Sequence, residues 1–486
     1  MAKAPPLSGD VFFAGIAEIS AQLRAKEFSA VELTRAFCDR LEKIGTAHNA
    51  LALSLRRSAL KKAKDVDGDL KRDRNRGPLQ GIPYGAKDLL AVKGAPTEWG
   101  SRAFAGQKFD DDAFVIKKLA SAGAILIGKL AMIELAGGIG YQTAAASSTG
   151  AALNPWDRTR WAGGSSSGPG VAVAAGLVTF ALGSETSGSI ITPSAFCGVT
   201  GLRPTYGLVS RRGAMSLAWT LDKIGPMCRS ADDCGLVLHA IAGADAEDPG
   251  SARKGFAYVP QFDRQLTDFT IGYAPVDFER ADPEAQAAFQ TALEVVKGLG
   301  AKLKEVEIPD FPYGALVETV IGAEAASIFE DFIRGEKIEQ MADPAQAASL
   351  KAALEIPAVD YLKAMRIRSL VRAAFRELFY DYDMLLTPSR LAPAPRISDG
   401  VGRGGGRGIA GGRGLSQIIP AGNLAGLPAI SLPCGFAGGL PVGISLIGRA
   451  WFDNHVIGVG RAFQAQTDWH KRKPPVEEAN VAVTKP

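Results

Sequence analysis

The segment WAGGSSSGPGVAVAAGLVTFALGSETSGS, residues 161–189, contains six serines and seven glycines, and no charged residue lies between Arg160 and Glu185. Its apolar part, residues 171–182, is far shorter than the ~20 residues that a membrane-spanning helix needs. The pattern instead predicts a helix over SGPGVAVAAG that leads into a strand over LVTFALG. The two serine-bearing glycine loops that flank this pair are therefore the first candidates for a chemical site.

The composition of the chain is that of a globular protein with a large core. Of the 486 residues, 47% are hydrophobic and 22% are charged, and 55 basic residues against 51 acidic ones give a net charge of +4. This balance provides no electrostatic basis for binding nucleic acid or an anionic membrane. Five scattered cysteines without a CxxC pair predict neither a disulfide framework nor a metal site, and we expect no cofactor. The N-terminus lacks the apolar run of a secretory signal, so a cytoplasmic location is expected.

Helix and strand patterns alternate along most of the chain. SAVELTRAFCDRLEKIG predicts an amphipathic helix with a capping box formed by Ser29 and Glu32, and strand candidates include AILIG, YDMLLTP, PAISLPCG and PVGISLIG, the last two close enough to form an antiparallel hairpin. The predicted fold is α/β, with a mixed, mostly parallel sheet covered by helices on both faces. We expect one domain over residues 1–486, comprising an N-terminal helical segment at about 10–70, a core at about 75–245 and a C-terminal part of the same sheet at about 265–475.

One low-complexity segment, Ser398–Ser416, contains three arginines among many glycines. Such a composition is found in RNA-binding segments, but this one has no aromatic residue and the chain has no basic surplus. A mobile surface loop is the favoured interpretation, and whether it closes over a pocket as a lid is left open by the sequence.

Two familiar arrangements for serine catalysis fit poorly. Ser166 matches the centre of a G-x-S-x-G elbow, but the residues before it make a poor strand. Of the four histidines, His239 and His470 lie in helix-like or helix-end contexts away from the glycine loops. Ser58 and Lys61 match S-x-x-K within a charged stretch, without the companion motifs of that chemistry.

A lysine provides a better candidate for the base. Lys87, in GIPYGAKDLLAVKG, has largely apolar neighbours, and desolvation lowers the pKa of a lysine until it can accept a proton near neutral pH. A lysine, a bridging serine and a nucleophilic serine form a proton relay that needs no histidine. Glycines before the last serine would leave backbone N–H groups free to face an oxyanion.

At these residues the sequence resembles the amidase signature hydrolases, which use a Ser–cisSer–Lys triad. The family elements G-I-P-x-x-x-K-D, G-G-S-S-G-G and D-T-x-G-S-I-R-x-P-x-x-x-C-G correspond to GIPYGAKD, GGSSSG and ETSGSIITPSAFCG. Ser165 and Ser189 are 24 positions apart, which equals the family's separation of its two serines. The resemblance covers roughly residues 15–475, in order, and includes NPWDRTRWAGG, GLRPTYGLVSRRG and NLAGLPAISLPCGF.

The resemblance implies a role for each matching residue. Lys87 would be the proton acceptor, Ser165 the bridging serine on a cis peptide and Ser189 the nucleophile, while Ser166 would form hydrogen bonds within its loop. The backbone N–H groups of Thr186, Ser187 and Gly188, together with that of the nucleophile, would form the oxyanion hole.

The nucleophile loop departs from the family pattern. Glu185 stands in place of an aspartate, Ser187 in place of a common glycine, and Ile191 in place of an arginine. If an acid–arginine pair supports this loop in relatives, Glu185 must find another partner here, because an uncompensated buried carboxylate is costly.

Several functions follow from the resemblance. The leading one is a stand-alone amidase of the aryl acylamidase kind, a monomer or homodimer that cleaves amide C–N bonds of small aryl or hydrophobic substrates. A carbamate, urethane or ester hydrolase with the same triad is an alternative, and so is the glutaminase subunit of a tRNA-dependent amidotransferase. Expected substrate-binding residues are Gly137, Gly138, Ile139, Gly140 and Tyr141, and further candidates for the pocket lining are Met215, Leu217 and Trp219.

Overall fold

A computed structural model describes residues 9–259, 266–401 and 417–476 of the chain. Its centre is one sheet of eleven strands in the order β1-β3-β2-β4-β6-β5-β10-β11-β9-β7-β8. The strands are β1 (Leu51–Ser54), β2 (Pro83–Lys87), β3 (Ile125–Leu130), β4 (Phe180–Glu185), β5 (Thr200–Arg203), β6 (Lys223–Cys228), β7 (Thr270–Tyr273), β8 (Lys302–Glu305), β9 (Met384–Pro388), β10 (Ala429–Ala437) and β11 (Leu440–Gly448).

Fifteen α-helices accompany the sheet within the described ranges. The helices are α1 (Ile16–Arg24), α2 (Ala30–Arg40), α3 (Arg56–Lys71), α4 (Phe114–Ser121), α5 (Ser167–Ala174), α6 (Ile191–Cys197), α7 (Ala231–Ile241), α8 (Pro275–Glu279), α9 (Pro283–Gly298), α10 (Tyr313–Ile328), α11 (Glu330–Arg334), α12 (Pro344–Ala353), α13 (Ala358–Asp381), α14 (Ile418–Ala425) and α15 (Asp453–Ala465). No helix in these ranges has both the length and the apolar composition required to cross a bilayer.

The strands at the centre of the sheet are covered on both faces. Every residue of β2, β4, β6, β9 and β11 is buried, although successive side chains of a strand point to opposite faces. Helix α5, from the segment quoted first, is buried along its whole length. The predicted helix–strand pair of that segment is thus the centre of the core.

The predicted α/β fold with a mixed sheet is confirmed, but the balance of pairings differs from the expected one. Among the described strands, four pairs are parallel and six are antiparallel, whereas a mostly parallel sheet was expected. The difference arises in the middle of the sheet, where β5 and β6 are neighbours without a helical crossover between them, and such neighbours pair antiparallel. The predicted hairpin is present: β10 and β11 pair antiparallel around a turn at Gly438 and Gly439, which both have positive φ.

Two further local features are the capping box of α2 and the position of β2 in the sheet. The predicted capping box is present at the start of α2, where the Ser29 side chain accepts from the backbone N–H of Glu32 and the Glu32 side chain accepts from that of Ser29. Strand β2 lies between β3 and β4 and is parallel to both. The C-terminal ends of β2 and β4 therefore lie side by side, and Lys87 is the last residue of β2.

Candidate active site

Lys87 lies at the centre of a group of three serine hydroxyls. Its Nζ donates to Ser165 Oγ at 2.7 Å, to Ser184 Oγ at 2.9 Å and to Ser166 Oγ at 3.1 Å. Ser184 reaches the amine because β4 is the neighbour of β2, whereas Ser165 and Ser166 lie on the loop that leads into α5. A neutral amine has two N–H donors and one lone pair, so these three contacts are satisfied when one hydroxyl donates its proton to the nitrogen.

The surroundings of Lys87 favour its neutral form. The side chain is fully buried, and burial lowers the pKa of Lys87 to about 7 although the negative charges of Asp222 and Glu185 act in the opposite direction. Removal of the ammonium from water accounts for this direction. The amine is therefore available as a base near neutral pH.

Ser165 is held in place by its backbone. The Gly164–Ser165 peptide bond is cis, and the Ser165 carbonyl accepts from the backbone N–H of Ile133 at 3.1 Å. The same loop approaches the residue after β3 very closely, since a Cβ on Gly168 would come within 2.5 Å of the Ala131 backbone nitrogen. A glycine at this position is a steric requirement of the loop.

Ser189 lies on the turn between β4 and α6, next to the Ser165 loop. Its carbonyl accepts from the backbone N–H of Ser166 at 3.2 Å. Its side chain remains 9% exposed, and its Oγ forms no hydrogen bond with any described residue. The N–H groups of Ser187, Gly188 and Ser189 likewise donate to no acceptor in the described part of the chain, which fits the expected oxyanion hole. The remaining candidate, Thr186, is tied by its hydroxyl to Asp222 Oδ1 at 2.6 Å.

Glu185 supports this turn from within the core. Its carboxylate accepts from the backbone N–H groups of Ile190 at 2.9 Å and Ile191 at 3.1 Å, from Arg203 Nη1 at 2.9 Å and from Asn423 Nδ2 at 2.9 Å. Burial raises the pKa of Glu185, but the Arg203 charge and these hydrogen bonds outweigh it and hold the pKa at about 2. The carboxylate is therefore ionised and fully compensated.

The departure of the nucleophile loop from the family pattern is thus resolved by a residue that the sequence analysis did not assign. Arg203, on β5, is the cationic partner of Glu185 in the core. Ser184 and Asn423 were also not assigned. Asn423 lies 238 residues from Glu185, and only the position of α14 in the fold brings the two together, so no spacing in the sequence could have revealed the contact.

A cavity of about 310 Å³ borders the turn at Ser184 and Thr186. Three of the expected lining residues, Met215, Leu217 and Trp219, form part of its wall. Its remaining neighbours are Leu89, Ala136, Arg211, Arg212, Gly213, Ala214, Ser216, Asp222, Lys223, Ile224, Glu247, Asp248 and Pro249. The arginines are already paired with acids, Arg211 with Asp248 and Arg212 with Asp245, so the cavity offers mainly apolar surface and neutralised charge to a ligand.

The expected substrate loop, Gly137 to Tyr141, contacts the loop that carries Ser165 through Tyr141. The Tyr141 ring contacts Trp161 edge-on with centroids 5.9 Å apart, and its hydroxyl lies against Gly164. Ile139 lies near Gly322 of α10 and does not line the cavity. Of the pocket candidates, Met215, Leu217 and Trp219 therefore line the cavity, whereas Ile139 and Tyr141 do not.

Other sequence candidates lie apart from this site. Ser58 is exposed on α3 and donates to the Leu55 carbonyl. His48 and His239 form hydrogen bonds with backbone carbonyls. In the described ranges, no group of three or more His, Cys, Asp or Glu side chains is arranged to hold a metal ion. Of the lid candidate Ser398–Ser416, residues 402–416 lie outside the described residues.

Together, a fully buried lysine in contact with three serine hydroxyls and a nearby turn with N–H groups that are free among the described residues form the arrangement that the sequence analysis expects of a serine hydrolase. Comparison with known proteins agrees with this class. The amidase family model matches residues 32–457. A glutamyl-tRNA(Gln) amidotransferase subunit of Moorella thermoacetica is 36% identical, with 96% of this chain and 99% of that protein covered.

Solved structures extend the likeness to the fold. The peptide amidase of Stenotrophomonas maltophilia is 29% identical and has a TM-score of 0.81, with 95% of this chain and 98% of that chain covered. A bacterial aryl acylamidase of the amidase signature family, 23% identical, has a TM-score of 0.83 with 94% and 98% covered, and this likeness concerns the fold alone. The chain belongs to the amidase family.

Proposed function

We propose that this amidase cleaves amide C–N bonds through an acyl-enzyme on Ser189, with Ser165 as the bridging serine and Lys87 as the base. The observation that carries the proposal is the 2.7 Å contact of a fully buried Lys87 with Ser165, whose loop is joined to the Ser189 turn by the hydrogen bond from the Ser166 N–H to the Ser189 carbonyl. A base of this kind is matched to neutral pH, where general base catalysis is most effective.

The reaction begins when neutral Lys87 accepts the proton of Ser165, which in turn takes the proton of Ser189. The Ser189 oxygen bonds to the carbonyl carbon of the substrate, and the carbonyl oxygen becomes an oxyanion. Backbone N–H groups of the 186–189 turn stabilise this charge. The C–N bond then breaks as the leaving nitrogen takes a proton through Ser165. Water, activated by the same relay, attacks the ester, and the acid and free Ser189 are released.

The cavity beside Thr186 supports a small substrate with an apolar or aryl group. Met215, Leu217 and Trp219 offer a surface on which such a group would lose contact with water. The charges at the cavity already neutralise one another, so a charged substrate would find little there to bind. An aryl carbamate or ester presents the same carbonyl to the same nucleophile and belongs to the proposed range.

A second candidate function is the release of ammonia from glutamine for a partner protein. The observation that favours it is the 36% identity with a glutamyl-tRNA(Gln) amidotransferase subunit over nearly the full length of both chains. The replacement of arginine by Ile191 on the nucleophile turn is a departure from the pattern expected of that group.

The first experiment measures product release by chromatography from an acyl anilide, an aryl carbamate and glutamine. Wild type, Ser189→Ala and the matched control Ser187→Ala are compared, because the control removes a hydroxyl from the same turn and keeps its N–H. We expect turnover of the anilide or carbamate, a loss of about a thousandfold or more in Ser189→Ala, and near-normal rates in Ser187→Ala.

Each other outcome has a definite meaning. Consumption of glutamine alone would support the amidotransferase function. Wild-type rates in Ser189→Ala would refute the acyl-enzyme, and an equal loss in both variants would show that the turn had been disrupted rather than that the nucleophile had been removed.

A further inference from the structure

The substrate loop between Ile133 and Thr143 has an unusual backbone conformation that depends on contacts with the rest of the protein. Leu135 and Ala136 both have positive φ, 47° and 56°, a region that side-chain-bearing residues rarely adopt. Gly137, Gly138 and Gly140 also have positive φ. A loop of this kind keeps one conformation only where surrounding groups determine it.

Helix α12 provides those groups at one end of the loop. Asp343 is its N-cap, and the two carboxylate oxygens have different partners. Oδ1 accepts from the α12 backbone at Ala345, at 2.9 Å, whereas Oδ2 accepts from the N–H groups of Gln142 at 2.6 Å and Thr143 at 3.3 Å. Asp343 is itself 3% exposed. One oxygen caps the helix and the other fixes the end of the loop just after Tyr141.

The same helix holds the beginning of the loop. Gln346 Nε2 donates to the carbonyl of Glu134 at 2.8 Å, and the N–H of Ala342 donates to the Glu134 carboxylate at 2.8 Å. Gln346 also lies directly against Gly138, where an added Cβ would come within 3.2 Å of its Nε2. Both ends of the loop are therefore attached to the first turn of α12.

The loop is next to the reacting groups. Ile133, at its start, donates to the Ser165 carbonyl, and Tyr141, at its end, lies against Gly164. We propose that Asp343, assisted by Gln346, is a positioning residue that sets the substrate loop for catalysis. This inference rests on the proposed function and adds to it a specificity element that lies among helices α10–α13, outside the segment that carries the serines.

The chain contains a matched control for the test. Asp282 is also the N-cap of a helix that begins with proline, α9, and its side chain accepts from the N–H of Glu284 at 3.0 Å. Replacement of either aspartate by alanine removes one helix cap of the same type, but only Asp343→Ala also frees the substrate loop.

The experiment measures kcat/KM on whichever substrate the wild type turns over, together with the urea denaturation midpoint, for Asp343→Ala, Asp282→Ala and Ser189→Ala. We expect a modest fall in the midpoint for Asp282→Ala and a larger one for Asp343→Ala, which also loses its contacts with Gln142 and Thr143. We expect kcat/KM to fall about tenfold to a hundredfold in Asp343→Ala alone, because a small displacement of positioning groups has a cost of this size. If Asp343→Ala does not fold, Gln346→Leu, which keeps the helix cap, takes its place. Its kcat/KM should fall about threefold or more.

A second readout separates positioning of the loop from damage to the serines. Inactivation by methanesulfonyl fluoride, a small reagent for the nucleophile, should proceed at the wild-type rate in Asp343→Ala and Gln346→Leu. Equal kcat/KM in Asp343→Ala and Asp282→Ala would overturn the inference, and so would a parallel fall in the inactivation rate. Activity retained by Ser189→Ala would instead refute the proposed function.

Discussion

Lys87 shows how a single position creates an unusual base. As the last residue of β2 it has strands on both sides. Among the described residues its amine contacts the hydroxyls of Ser165, Ser166 and Ser184 and no carboxylate. Hydroxyl groups satisfy either protonation state of the amine, so burial decides between them and favours the neutral one. A carboxylate in contact would instead have kept the lysine charged and unable to accept a proton.

The expected consequence is a pH profile governed by Lys87. Because burial lowers the pKa of Lys87 to about 7 and the neutral form is the base, the reactive fraction grows as pH rises through 7. The rate constant kcat/KM should therefore fall about tenfold per pH unit below 7 and level off above it. The measurement is kcat/KM from pH 5 to 9 on a substrate that does not itself titrate in this range.

Lys87→Arg provides the control for this profile. An arginine keeps its proton throughout the range, so this variant should be inactive at every pH. A profile that stayed flat from pH 5 to 9, or an active arginine variant, would show that another group is the base.

At the scale of secondary structure, the turn between β4 and α6 depends on a buried ion pair. Glu185 joins the N–H groups at the start of α6 to Arg203 on β5 and Asn423 on α14. The Glu185 and Arg203 side chains are 0% and 1% exposed. Removal of one partner would leave the other charge in the core without compensation.

Arg203→Met should accordingly lower the free energy of unfolding by about 3–5 kcal/mol. The double variant Glu185→Gln/Arg203→Met should recover part of that loss, since it removes both charges. Arg334→Met is the matched control: Arg334 pairs with Glu330 at 2.9 Å on the exposed face of a helix, and such pairs contribute at most about 1 kcal/mol. Urea denaturation of the four proteins checks these values, and a loss of less than 1 kcal/mol in Arg203→Met would contradict a supporting role.

These elements also show which features could be predicted from the sequence. The pattern of residues 161–189 predicts α5 and β4, and the alternation of helices and strands predicts the α/β class, because both depend on local periodicity. Lys87, Ser165 and Ser189 lie in contiguous motifs and were therefore available to sequence reasoning. Arg203 lies in the matching segment GLRPTYGLVSRRG, but its role and that of Asp343 were not available, because each acts through a contact with a residue outside its own segment.

At the scale of the whole molecule, the central strands of the sheet connect the N-terminal part of the chain with the C-terminal part. Strand β5 pairs with β10, and Arg203 Nε donates to the Leu427 carbonyl at 3.0 Å. Asn423, from the C-terminal part, completes the coordination of Glu185. Neither part of the chain has a complete site alone, and we propose that residues 10–475 form one folding unit.

A single unit predicts coincident loss of structure and function. In urea, far-UV circular dichroism and residual activity should follow one transition, because unfolding of either half exposes an edge of the sheet and removes a support of the nucleophile turn. Asn423→Ala, a change in the C-terminal part, should move both curves to lower urea by the same amount. Two outcomes would contradict a single folding unit. Activity would disappear in a separate, earlier transition, or Asn423→Ala would move one curve and leave the other in place. Either result would show that the two parts of the chain unfold as independent domains.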